Sequence, residues 1–166
     1  MKRLARTCVA IVAAGLTLAS GSTWGQAEGG PPALKVGDKV PAITAPNAAD
    51  ERSRTVDYPK GHATVLLLFL PDCSHCHKMI PEWNREFGRK PPSVDVVGLM
   101  MGPEPPGFFQ VFPIAFPVLR YSGRDAQSAF KLTKVPMMVR VGPGGVVQDV
   151  AHGVIDPIRL GEIFKP

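Results

Sequence analysis

The segment of this chain best equipped for chemistry is Pro71-Asp72-Cys73-Ser74-His75-Cys76-His77. It places two thiols three positions apart, directly after the apolar run Ala63–Leu70 and at the start of a stretch that reads as helix. That position matters. The first N–H groups of a helix lack partners inside it, and together with the aligned peptide dipoles they favour an anion. A cysteine there is expected to ionise more easily, and the thiolate is the reactive nucleophile. Cys73 would attack a disulfide, and Cys76, one turn later, would resolve the mixed disulfide by attacking Cys73. A protonated His75 between them would support the thiolate, while the neighbouring Asp72 carboxylate opposes it.

The rest of the chain says where such a pair would work. Lys2, Arg3 and Arg6 precede the twelve-residue apolar stretch Cys8–Ala19, and the small, polar residues Ser20–Ala27 follow. This layout predicts a secretory signal peptide over residues 1–27, with Gly25 and Ala27 at the cleavage subsites. The other reading is an uncleaved N-terminal membrane anchor. Either way the rest of the chain would lie outside the cytoplasm, in the periplasm or secreted. Residues 28–33 read as a flexible leader, and 34–166 as one domain. Beyond the leader only Cys73 and Cys76 remain, so the thiols cannot be a framework that staples a small domain together. As a purely structural disulfide they would close too small a loop to add much stability.

Composition closes off other classes. With 45% hydrophobic and 20% charged residues in 166, the chain has ordinary globular composition. Its 17 Gly and 18 Pro imply many turns. The one long apolar stretch is too short to span a bilayer. The net charge of +5 owes three positive charges to the expected signal peptide, leaving 16 basic against 14 acidic residues. No basic cluster with interleaved aromatics suggests nucleic-acid binding.

The elements that must position the thiols follow from hydrophobic pattern and turn residues. Leu34–Asn47, with Pro41 and Pro46, reads as extended and loop-like. Arg52–Tyr58 reads as a short strand, and Ala63–Leu70 as a central strand buried on both faces. Ser74 to about Phe87 is a helix interrupted by Pro81, and Val94–Met101 is a second buried strand. Phe116–Arg120 is a short strand and Gly123–Leu132 a short helix. Met137–Val141 and Val146–His152 form a hairpin around Pro143-Gly144-Gly145. Asp156 with Pro157 starts a closing helix to Phe164. Alternating strands and helices make an α/β domain. The proline- and phenylalanine-rich stretch Gly102–Phe116 is either a cover over the sheet or the wall of a partner groove. Met100, Met101, Met137 and Met138 read as core filler, and His62, His77 and His152 as surface residues.

From Val36 to Phe164 the order of motifs resembles the thioredoxin-like thiol–disulfide oxidoreductases, in particular their exported TlpA/ResA-type branch. The similarity rests on Val36-Gly37-Asp38-Lys39-Val40-Pro41, the Cys-x-x-Cys, Pro81 five residues after Cys76, Phe116-Pro117-Val118-Leu119, Val135-Pro136 before a strand, and Gly144-Gly145-Val146-Val147. It implies a thioredoxin-like fold, a central mixed β-sheet flanked by helices on both faces. It also implies a cis-proline loop facing the cysteines, in which the backbone at Val135 and Pro136 pairs with an extended substrate; an ordinary trans proline is the other reading. Cys73, Cys76, His75 and Pro136 are then the catalytic set. No bound cofactor is needed, because the pair itself carries two electrons. Partners would be protein thiols or disulfides and a membrane or soluble redox partner for recycling, with the protein acting as a monomer.

Three departures from the resemblance bear on mechanism. Asp72 stands where the family usually has Trp. Leu67 and Met79 occupy two positions where relatives carry a proton-handling carboxylate. The base for Cys76 and the direction of electron flow are therefore open. A rival reading takes Cys73-Ser74-His75-Cys76-His77 as a c-type haem attachment motif with His77 as axial ligand. Another takes Cys73, Cys76, His75 and His77 as a copper or zinc site. The apolar strand upstream, Pro81 and the Val135-Pro136 strand speak against a haem crevice.

Overall fold

A computed structural model describes residues 33–166. The expected signal peptide (1–27) and residues 28–32 of the expected leader lie outside the described residues. The chain begins with a two-stranded antiparallel ribbon, β1 (Ile43–Pro46) and β2 (Ser53–Val56). The main sheet comprises β3 (Ala63–Phe69), β4 (Val94–Met100), β5 (Val118–Arg120), β6 (Met137–Val141) and β7 (Val147–His152). Its order is β5-β4-β3-β6-β7. The β3–β4 and β4–β5 pairs are parallel, whereas β3–β6 and β6–β7 are antiparallel, so the sheet is mixed. The helices are α1 (Ser74–Arg89), α2 (Phe108–Val111), α3 (Arg124–Ala129) and α4 (Pro157–Ile163).

β3 is central because its composition allows nothing else. All seven of its residues are buried, and the period-two alternation of a strand divides them between two cores. Val65, Leu67 and Phe69 face one core with Ile80 and Trp83 of α1 and Leu160 and Ile163 of α4. Leu66 and Leu68 face the other, with Ala126 of α3, the following Phe130, and Ile43 and Val56 of the ribbon. The helices therefore cover both faces of the sheet, as the family resemblance implies. Within α1 the buried residues Cys76, Met79, Ile80 and Trp83 fall at helical spacing on one stripe. Pro81 sits inside α1 on its exposed side, where it cannot donate to the His77 carbonyl.

Three expectations are refined. Leu34–Asn47 is not loop throughout: Ile43–Pro46 pairs with β2, and Pro46 is tolerated at the end of a two-stranded edge ribbon. Gly102–Phe116 is a cover, since Phe108 and Phe116 enter the core; it carries the unforeseen helical turn α2. α3 is shorter than the predicted Gly123–Leu132. Met100, Met101, Met137 and Met138 are core residues.

Two glycines are required by packing. A Cβ on Gly98 in β4 would lie 2.9 Å from the Phe116 ring and 3.3 Å from Phe69. At Gly145, φ is +81° and a Cβ would meet the Val40 carbonyl at 2.4 Å.

Candidate active site

The C-terminal end of β3 carries the site. After Phe69 the chain turns through Leu70–Asp72, and the Cys73 N–H donates to the Leu70 carbonyl at 3.2 Å. Cys73 is the N-cap of α1, with extended backbone at φ −87°, ψ 109°. Its Sγ takes the place of the capping oxygen and accepts the Cys76 N–H at 3.2 Å. One of the otherwise unpaired helix-end donors is thereby aimed at sulfur, which suits an anion there. Both thiols are free.

The two cysteines stand in different surroundings. Cys73 is half-buried, at the edge of the core that α1 covers, whereas Cys76 is 0% exposed within it. Burial pushes the Cys76 thiol well above the ordinary cysteine range. Its hydrogen bond with Cys73 and the negative charges of Cys73 and Asp72 push it the same way, and a hydrogen bond from the Leu70 backbone partly opposes them. Leu67 and Met79 are both fully buried apolar neighbours in the same core, so neither supplies a proton acceptor.

His75 is exposed on the first turn of α1 and makes no hydrogen bond, ion pair or ring contact among the described residues. His77 behaves differently from expectation. It is half-buried, its Nε2 lies 2.7 Å from the Pro71 carbonyl oxygen, and its ring stacks on Phe112 with centroids 3.9 Å apart. Only the local half of this is readable from sequence, a helical side chain near the start leaning back over the loop that precedes it; the stack on Phe112 depends on where the cover packs.

The Val135–Pro136 peptide is cis. Pro136 is buried at the start of β6, whose first residue, Met137, pairs with Leu68 of β3. This register brings the proline loop to the same end of the sheet as the cysteines, and Val135 and Cys73 pack against one core. The Pro136 carbonyl accepts the Gly153 N–H at 2.8 Å, while the Val135 N–H and carbonyl have no hydrogen-bond partner among the described residues.

The other histidines separate. His62 is exposed, 3.4 Å from the Asp95 carboxylate. His152 is not a free surface residue: it pairs with Met137 across β6 and β7, and its Nδ1 is buried without a hydrogen-bond partner. Burial, and secondarily the charge of Lys134, lowers its pKa below the ordinary histidine value.

The metal and haem readings do not fit this geometry. The Nε2 that a haem iron would take lies against the Pro71 carbonyl, and Cys76 is sealed in the core. Among the described residues no group of three or more His, Cys, Asp or Glu is placed to hold a metal ion. A cavity of about 660 Å³ at the β5 edge is lined by Phe87, Phe109, Ile114 and Phe116 with short apolar neighbours and Asn47, and contains no nucleophilic or titratable side chain.

This geometry has counterparts among solved structures. The thioredoxin domain of a thiol-disulfide oxidoreductase from Bacteroides vulgatus superposes with a TM-score of 0.65 at 17% identity, over 81% of this chain and 100% of that one. A thiol:disulfide interchange protein of the thioredoxin family from Chlorobium tepidum gives 0.65 at 18%, over 80% and 97%. The chain has the thioredoxin fold. StoA from Bacillus subtilis gives 0.63 at 15%, over 80% of this chain and 98% of that one. No protein-family profile and no curated protein matches the sequence. Within this thioredoxin fold, the cysteine pair lies at the end of the central strand and the cis proline beside it.

Proposed function

We propose that this protein is an exported thiol–disulfide oxidoreductase acting on protein disulfides. The observation that carries the reading is the asymmetry of the pair: a half-exposed Cys73 Sγ held over the Cys76 N–H at the helix start, and a resolving Cys76 buried one turn behind it. The Cys73 thiolate attacks one sulfur of a substrate disulfide. A Cys73–substrate S–S bond forms, the substrate S–S bond breaks, and the other substrate sulfur leaves as a thiolate. The departing substrate thiolate takes the Cys76 proton, and Cys76 attacks Cys73 Sγ, forming the Cys73–Cys76 disulfide and releasing the second substrate sulfur as a thiolate, which solvent protonates. Two electrons pass from the pair to the substrate, and a membrane or soluble dithiol partner returns them.

The Val135 backbone, unpaired beside Pro136, is the edge on which an extended client segment would align while Cys73 reacts. A protonated His75, in solvent beside the nucleophile, would favour the thiolate. The resemblance to the TlpA/ResA-type branch favours a pair that prefers the disulfide, while burial and the Asp72 charge hold Cys76 as a neutral thiol in the reduced protein. A pair that prefers to be oxidised is a reductant, in keeping with a TlpA-like role. Residues 1–27 support a place outside the cytoplasm, by the signal-like order of their charges and apolar stretch.

The test uses Cys76→Ser, which removes the resolving thiol but leaves Cys73. Incubated with a disulfide-bonded protein such as insulin, it is expected to accumulate a mixed disulfide through Cys73, while the unaltered reduced protein cleaves insulin. Absence of both products would overturn the reading.

A further inference from the structure

His77 has no part in the exchange steps above, yet it is tied down at both edges of its ring. It is the fourth residue beyond the N-cap, and its N–H donates to the Cys73 carbonyl at 3.1 Å. The side chain leans back toward the helix start, as helical side chains do, and so reaches over the turn that delivers Cys73. There the imidazole Nε2–H donates to the Pro71 carbonyl at 2.7 Å. Pro71 is buried, and a buried carbonyl without a donor is costly. On its other side the ring stacks on Phe112 at 3.9 Å and 20° between planes, and lies 6.2 Å from Phe108, whose ring is itself stacked on Phe69 of β3.

These contacts form one connected path: Pro71 carbonyl, His77, Phe112 and Phe108, Phe69. The His77 side chain thus ties the turn carrying the nucleophile to the cover segment 108–112. The Cys73 Sγ is located by the Cys76 N–H, at 3.2 Å, and by the Cys76 thiol behind it, so the angle at which Pro71-Asp72-Cys73 enters the helix bears on whether sulfur stays over them.

We propose that His77 is a positioning residue for Cys73: a latch that fixes the 71–73 turn against the aromatic cover and keeps the sulfur over the helix start. The inference rests on the reading of Cys73 as the nucleophile. It assigns two separable parts to one ring, a donor for Pro71 and a flat face for Phe112.

Two variants separate the parts. His77→Phe keeps a ring for Phe112 and removes the donor. His77→Gln keeps an N–H able to reach Pro71 and removes the stack. The readout is the rate at which iodoacetamide alkylates Cys73 in the reduced full-length protein at pH 7, with thermal melting as the fold control. His77→Phe is expected to alkylate about tenfold more slowly, and His77→Gln to recover to within about threefold of the unaltered protein. An unaltered rate in His77→Phe, or a His77→Gln as slow as His77→Phe, would overturn the latch. If His77→Phe does not fold, Phe112→Leu decides instead: a fall of about threefold supports the latch and an unchanged rate overturns it. Alkylation reads the thiol directly. A failed latch therefore leaves insulin cleavage intact, and a failed oxidoreductase reading shows as lost cleavage with the latch effect on alkylation preserved.

Discussion

The strand β3 and the turn that follows it are consecutive in sequence and opposite in construction. Over Ala63–Phe69 every residue is buried, and the strand is paired on both edges, to β4 and to β6. Over Asp72–His75 the chain comes back to the surface, with three exposed residues around a half-buried thiol. The first region carries stability and no chemistry. The second holds the proposed nucleophile and, apart from the His77 contact with the Pro71 carbonyl, few hydrogen bonds of its own. A nucleophile must be reachable, so its position has to be inherited from a neighbour that cannot move.

If that division is right, substitutions in the two regions should fail in different ways. The largest effect is expected from Cys73→Ser. Serine can cap the helix as the thiol does, so melting should stay close to that of the unaltered protein, while insulin cleavage falls by about a thousandfold or more. A residual rate within tenfold would place the nucleophile elsewhere.

Leu67→Ala inverts the pattern. It leaves a cavity beneath α1, and urea unfolding should show a loss of about 2–5 kcal/mol, with the folded fraction still exchanging disulfides. A loss under 1 kcal/mol would contradict the account of β3 as the rigid platform. Gly98→Ala sharpens the same point with one added methyl group. Phe116, 2.9 Å away, and Phe69 leave no room for it, so a loss of about 1–3 kcal/mol is expected in the same unfolding measurement.

In the turn, His75→Ala should be nearly silent in unfolding, within about 0.5 kcal/mol, because the side chain is exposed and unpartnered among the described residues. Its exchange rate should fall by about two- to fivefold, the scale of one exposed side chain beside the thiol. No change in rate would remove His75 from the site.

The smallest effect concerns His152, under the proline loop. Its pKa is lowered by burial, so between its folded and unfolded values the unfolded chain binds more protons. Stability must therefore decline as pH falls below about 6.5, the unfolded value, and flatten below the folded one. His152→Gln should flatten this part of a stability–pH curve measured between pH 7 and 5. An identical slope in the variant would contradict the assignment.

How much of this could be read beforehand varied with the kind of signal. β3 and β4 were legible because continuous apolar runs between turn residues leave no amphipathic alternative. The N-cap at Asp156 was legible because its side chain accepts from Ile158 and Arg159, a contact local in sequence. The strand at Ile43–Pro46 was not, since its partner β2 and not its own composition makes it one, and its prolines argue otherwise. The roles of His77 and His152 escaped for the same reason. Each is defined by a contact outside its own segment, Phe112 in the cover for one and Met137 across the sheet for the other. The cysteine pair was visible as a motif, but the depth of Cys76 depends on how α1 lies on the sheet. That is a tertiary fact.

The central claim is that Cys73 and Cys76 cycle between dithiol and disulfide and that the pair prefers the disulfide. The most direct test is the equilibrium of the pair with dithiothreitol or glutathione. A reversible disulfide is expected, with a potential near that of thioredoxin, about −270 mV or lower. A potential of about −120 to −180 mV would contradict the reductant assignment, and failure to form a reversible disulfide would contradict the function itself.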